Sequence, residues 1–204
     1  MTYSAIPHFR NAWKAFKSYP RVFIFSMLIL FASWVILEVA VISLQRLGVV
    51  VWLVLHLAFF VFFSGLMLGL HRIALETVNG KVPDLANLTE LLGRGPTFLL
   101  AFCIYSAAVV AGLVLLVVPG IYVAVKYALF GQVLATTATT APQALRDAAV
   151  IADGRWWTLF SLLLMAMLLN LAGAAFLGVG LLITFPVSLL ATSDLYRSLQ
   201  RPAR

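Results

Sequence analysis

The sequence predicts an all-α integral membrane protein of six transmembrane helices, paired as three hairpins, each preceded by a cytoplasmic interfacial amphipathic helix. Three observations carry this reading. Of 204 residues, 63% are hydrophobic and 10% charged, where a soluble domain carries about 25% charge; the mean hydropathy is +1.05. Apolar runs recur at lengths that cross a hydrocarbon core of roughly 30 Å. The 14 Lys and Arg, against 7 Asp and Glu, gather between alternate runs, where they report topology rather than affinity for nucleic acid. Such a chain has no room for a soluble catalytic domain. Its single cysteine, Cys103, excludes an intramolecular disulfide and a cluster of metal-binding cysteines.

Residues 22–44 form the first run, which crosses the core with some tilt. Arg10, Lys14, Lys17 and Arg21 precede it as at the start of a signal peptide. The run exceeds the roughly 7–15 apolar residues of such a peptide, and a second run follows at once, so it is expected to be retained. Gln45, Arg46 and Gly48 predict a tight turn into residues 49–70. The chain is then polar after His71 and Arg72, with turns at Asn79-Gly80 and Pro83-Asp84 ahead of a short helix over 85–92. Residues 97–118 end at Pro119-Gly120, and a fourth run continues from 121 to about 135. That apolar stretch is too long for one crossing of about 20 residues, so Pro-Gly is read as a reversal. The same logic divides 156–195 near residues 173–180 and completes six spans.

Charge tests this count. With a cytoplasmic start, twelve of the fourteen basic residues fall on the cytoplasmic side, only Arg46 lies opposite, and Lys126 falls within the fourth run. Both termini are therefore expected in the cytoplasm, in a bacterial inner membrane. A kink at Pro119-Gly120 would leave five spans and put the later basic residues outside.

Three segments read alike: FKSYPRVFIF (16–25), LLGRGPTFLL (91–100) and ADGRWWTLF (152–160). Each joins an amphipathic stretch to a span through Gly or Pro, a basic residue and an aromatic. They suggest a three-fold internal repeat of units at about 4–76, 83–138 and 141–200 within one transmembrane domain. In the first lead-in helix Ile6, Phe9, Trp13 and Phe16 share a face opposite Arg10, Lys14 and Lys17, the pattern of a helix lying in the headgroup boundary. The second has Asp84 as candidate N-cap, with Leu85, Leu88, Leu91 and Leu92 on one side. The third opens at Thr140 and Pro142, with Leu145 and Ala149 inward.

The order LLVVPGIYVAVKYAL (115–129), ALRDA (144–148), DGRWWTLFSLLL (153–164), then GVGLLITFP and SDLYRSL (178–199) resembles the bacterial membrane family of the YciC-like proteins. It is also similar to the membrane domain found ahead of some glycerophosphodiester phosphodiesterases. The resemblance covers roughly residues 65–199 and implies a six-span inner-membrane protein. The family has no established activity, so the resemblance supplies no catalytic residues.

Ionisable groups inside a bilayer need a partner or water. Glu38, His56 and Lys126 fall at similar depths, at roughly 10 Å from the outer turns by helix rise, with Asn170 able to join them. One reading is a protonatable cluster lining a cavity, in which His56 titrates near neutrality. The other is a Glu38–Lys126 ion pair that fixes packing, with His56 bonded to a backbone carbonyl. At the cytoplasmic rim Arg72, Arg155 and Arg197, beside Trp156, Trp157 and Tyr196, can bind a lipid phosphate, or serve as interfacial anchors. Asp194 and Arg197 are spaced to pair. Gly65 and Gly69, a GxxxG in the second run, predict close helix packing, as do Gly178 and Gly180. No metalloprotease, nucleophile-elbow or Walker pattern is present, and His8 and His71 lie far from any acidic cluster.

The expected protein is therefore a non-enzymatic, cofactor-free and metal-free inner-membrane protein that organises lipids, anionic ones foremost, or assists a partner. That partner is a second copy or another membrane protein. The alternative is a small transporter or channel using Glu38, His56 and Lys126. A water-connected polar layer favours transport; a dry, paired one favours lipid organisation.

Overall fold

The computed structural model describes residues 4–44, 48–176 and 178–200. Gln45 and Arg46 of the expected first turn, and Arg201 and Arg204 of the tail, lie outside them. The described residues form helices and connecting turns without a strand. In chain order these are α1 (Ile6–Ser18), α2 (Pro20–Leu44), α3 (Val49–Val78), α4 (Asn87–Glu90), a 3-10 turn (Leu92–Arg94), α5 (Gly95–Leu115), α6 (Val117–Lys126), α7 (Phe130–Thr136), α8 (Ala141–Ala152), α9 (Trp156–Ala175) and α10 (Leu181–Gln200).

Five helical stretches are long and apolar enough to cross a membrane: Pro20–Ser43, Val49–Val78, Asn87–Leu115, Val117–Thr136 and Trp156–Ala175. The protein is thus an all-α protein of membrane-spanning character. The expected sixth span, α10, matches α9 in length at 20 residues. Pro186, Asp194, Arg197 and a series of hydroxyl residues make it less apolar. Yet it packs against α1, α2, α3, α8 and α9, so the least apolar long helix is half buried among its neighbours rather than set at the edge.

The chain turns back between α5 and α6 at Leu116, whose backbone is extended (φ −163°, ψ 143°), rather than at Pro119-Gly120. Pro119 instead sits in the first turn of α6, where a missing N–H costs nothing. Gly112 and Gly120 let the two helices touch: a Cβ on Gly112 would lie 2.8 Å from Gly120 Cα.

The lead-in helices dock onto the bundle. α1 lies along α10 with Ala5, Phe9, Ala12 and Phe16 buried, while Ile6 and Trp13 are 66% and 44% exposed. The buried line is therefore displaced from the expected Ile6–Phe9–Trp13–Phe16 face. Ala5 and Ala12, alternating with Phe9 and Phe16, let α1 approach closely, and Trp13 stays outside with Lys17 Nζ 5.1 Å from its ring centre. Arg10, Lys14 and Lys17 are exposed.

The second lead-in is shorter than the expected 85–92. Asp84 Oδ1 accepts the Ala86 N–H at 3.1 Å, and Leu91 (φ −104°, ψ 15°) ends α4. This short element presses on α3 at the two GxxxG glycines. A Cβ on Gly65 would meet Leu92 Cα at 2.8 Å, and one on Gly69 would strike the Leu88 backbone. The third, α8, begins after Thr140 with Pro142 in its first turn and buries Leu145 and Ala149, as expected.

These three elements wall one end of the bundle, which also carries Arg10, Arg72 and Arg197. Residues 64–78 of α3 are mostly buried there, against half-buried or exposed side chains at 49–63.

Candidate functional site

α10 organises the polar chemistry because each of its sides meets a different neighbour. Toward α1 and α3 it presents Asp194, whose side chain is 5% exposed. Asp194 Oδ2 takes His8 Nδ1 at 2.8 Å and the Asn11 amide at 3.2 Å, and its Oδ1 accepts from Arg197 Nη2 at 2.6 Å. Arg197 Nη1 also donates to the Val78 carbonyl of α3. The expected Asp194–Arg197 pair is present, but as part of a lock that ties α1 to the bundle. His8, for which the sequence offered no acidic cluster of metal-site spacing, sits on this single carboxylate. The two are 186 positions apart.

A second side carries Thr184, Ser188, Thr192, Tyr196 and Gln200, one every fourth residue and so one above another on the helix. Asn170 of α9 donates to Ser188 Oγ at 3.2 Å, and Gln132 of α7 to Thr192 Oγ1 at 3.0 Å. Thr136 and Tyr196 hydroxyls meet at 3.0 Å, and Gln200 donates to Tyr196 at 2.6 Å. Gln132 Oε1, Asn170 Oδ1 and Thr184 Oγ1 are buried without a hydrogen-bond partner among the described residues. The four-residue repeat of hydroxyl and amide residues was a visible signal for this row, and the sequence reading missed it.

The expected polar cluster is not drawn together by side-chain contacts. Lys126 Nζ lies 3.5 Å from Asp153, between α8 and α9, and 5.6 Å from the Tyr122 ring centre. It has no ion pair with Glu38 among the described residues. The reason is topological: α6 packs on α5, α8 and α9, whereas α2 packs on α1, α3 and α10. His56 Nδ1 contacts the Trp52 carbonyl one turn back at 2.9 Å, and Asn170 belongs to the α10 row. Glu38 is half-buried, without hydrogen bond or ion pair among the described residues.

At the expected rim, Arg72 bonds Glu76 at 3.0 Å and the Ala135 carbonyl at 3.3 Å, while Arg197 is held in the lock. Tyr196 is 2% exposed and belongs to the interior row. Trp156, next to Arg155, stacks between Tyr122 and Phe160 at 6.3 and 5.1 Å; Trp157 is 75% exposed. The rim thus spends its Arg72 and Arg197 donors on protein acceptors. No group of three or more His, Cys, Asp or Glu able to hold a metal occurs among the described residues.

The third side of α10 forms a groove with α2 and α3. Its volume is about 530 Å³, and its walls are Met27, Phe31 and Trp34 of α2, Phe63 and Met67 of α3, and Phe185 of α10, with neighbouring apolar residues. Gly178 and Val179 of the α9–α10 turn also line it. Gly178 occupies the left-handed region (φ +76°). Gly173 and Gly180 pack backbone to backbone just behind it, since a Cβ on Gly180 would lie 2.7 Å from Gly173 Cα. A volume of this size lies within the usual range of small-molecule sites, about 300–1,000 Å³.

Compared with known proteins, the chain matches no family model, no curated protein and no solved structure.

Proposed function

We propose that this protein is a non-enzymatic, YciC-like membrane protein that binds and organises phospholipid. In this reading it lies in the bacterial inner membrane with both termini cytoplasmic and α10 as a sixth crossing. The observation that carries it is the groove between α2, α3 and α10: an apolar cleft of about 530 Å³ among membrane-spanning helices fits an acyl chain. Water gains nothing against such walls, and a polar solute loses its hydration there. The exposed Arg10, Lys14 and Lys17 of α1 add affinity for an anionic leaflet, about 1 kcal/mol for each base near the surface.

Native mass spectrometry of the protein released from phospholipid nanodiscs tests this. The wild type is expected to retain a phospholipid, and Leu182→Trp, which enlarges a side chain of the α10 wall and fills the groove, to lose it. Equal retention by both overturns the assignment.

Transport of a small solute is a second reading, favoured by the interior row that α10 shares with α7 and α9, where three oxygens lack a partner among the described residues. Solute flux into proteoliposomes that falls with Asn170→Leu and Gln132→Leu supports it. Flux no greater than that of protein-free liposomes removes it.

A further inference from the structure

We infer that the groove selects lipids with a primary ammonium headgroup, phosphatidylethanolamine being the type, and that Glu38 and His56 are its headgroup residues. The inference rests on the lipid-binding reading and adds the chemistry at the groove's mouth. On α2 the groove is lined at positions 27, 31 and 34, and Glu38 continues that row one turn further, at the 4-3-4 spacing of a single helix face. On α3 the lining residues Phe63 and Met67 continue backward through Phe60 to His56, at the same spacing. The two packed helices therefore carry one carboxylate and one imidazole beyond the same end of one apolar wall.

Both groups are acceptors. Glu38 lies within an apolar span and has no hydrogen bond or ion pair among the described residues, a costly state for a carboxylate at that depth unless a cation meets it. His56 Nδ1 faces the Trp52 carbonyl, itself an acceptor, so Nδ1 donates to it and Nε2 is the nitrogen left to accept from a ligand. Trp34, one turn below Glu38 and 49% exposed, adds an aromatic face for a cation. A chain in the groove with an ammonium at its head satisfies every one of these groups. A primary ammonium offers N–H donors to Glu38 and His56; a quaternary one offers none, and a glycerol headgroup offers no charge.

The test uses the full chain in nanodiscs of equal phosphatidylethanolamine and phosphatidylglycerol, with retained lipid read by native mass spectrometry. The wild type is expected to enrich phosphatidylethanolamine about tenfold, the equivalent of 1.4 kcal/mol. Glu38→Gln is expected to abolish the enrichment and Glu38→Asp to keep it. Replacing phosphatidylethanolamine by phosphatidylcholine is expected to remove most of it. Lipid retention that Leu182→Trp destroys, with a headgroup ratio that Glu38→Gln leaves unchanged, overturns this inference and leaves the lipid-binding reading standing. A wild type that retains no lipid overturns both.

Discussion

The two ends of the bundle are built from the same apolar helices and hold together differently. At the basic end α1, α8 and the short α4 element cover the central helices, so residues 64–78 of α3 and 186–196 of α10 are largely buried and their polar groups bond to protein. At the far end α2, the first half of α3 and the α5–α6 turn show exposed Ile36, Val50 and Val114. In a bilayer that exposure costs nothing, because lipid tails are as apolar as the side chains. Cohesion is therefore needed only where helices leave the lipid and must satisfy polar groups. The far end is free to present a groove and an unpartnered carboxylate.

Substitutions at matched pairs of sites can break or sharpen this contrast. The largest loss is expected at the basic end. Phe16→Ala, at a side chain 5% exposed, costs about 3–5 kcal/mol, while Ile36→Ala, 68% exposed, leaves the stability nearly unchanged. Denaturant titration in mixed micelles measures both. Asp194→Ala strands His8, Asn11 and Arg197 and is expected to cost a comparable 3–5 kcal/mol or so, as when a buried ion pair loses one member. Because α1 loses its anchor, new tryptic cleavage at Lys14 or Lys17 accompanies it. Gly69→Ala drives a Cβ into the Leu88 backbone and loses about 1–3 kcal/mol as overpacking. Gly93→Ala, which meets nothing within 4 Å, serves as its neutral control. Smallest of all, Lys126→Met leaves the unfolding midpoint in place, since its pairing with Asp153 is open to solvent. A large loss there would show that the α6–α8 contact carries more of the fold than its geometry indicates.

How far the sequence could be read follows from which interactions are local. The long apolar helices were legible, as were the close approaches at Gly65 and Gly69, the inward Leu145 and Ala149, and the Asp194–Arg197 pair three residues apart. The turn between α5 and α6 was placed a few residues late, because Pro119 suits a helix start as well as a break. The buried face of α1 was displaced because periodicity ranks Trp13 above Ala12 by hydrophobicity, while docking on α10 rewards the smaller residue. Depth along a span put Lys126 level with Glu38. Depth says nothing of azimuth, and Lys126 turned to Asp153.

The sequence by itself determined that the chain is helical and membrane-embedded. A helix in lipid satisfies its backbone within its own segment, so length and apolarity decide each span without reference to any neighbour. Which helices adjoin was decided only by the tertiary structure. No local rule ties His8 to Asp194 or Gln132 to Thr192, and none makes the least apolar long helix pack against five others. Those pairings come from side chains that find partners across the bundle because lipid offers them none.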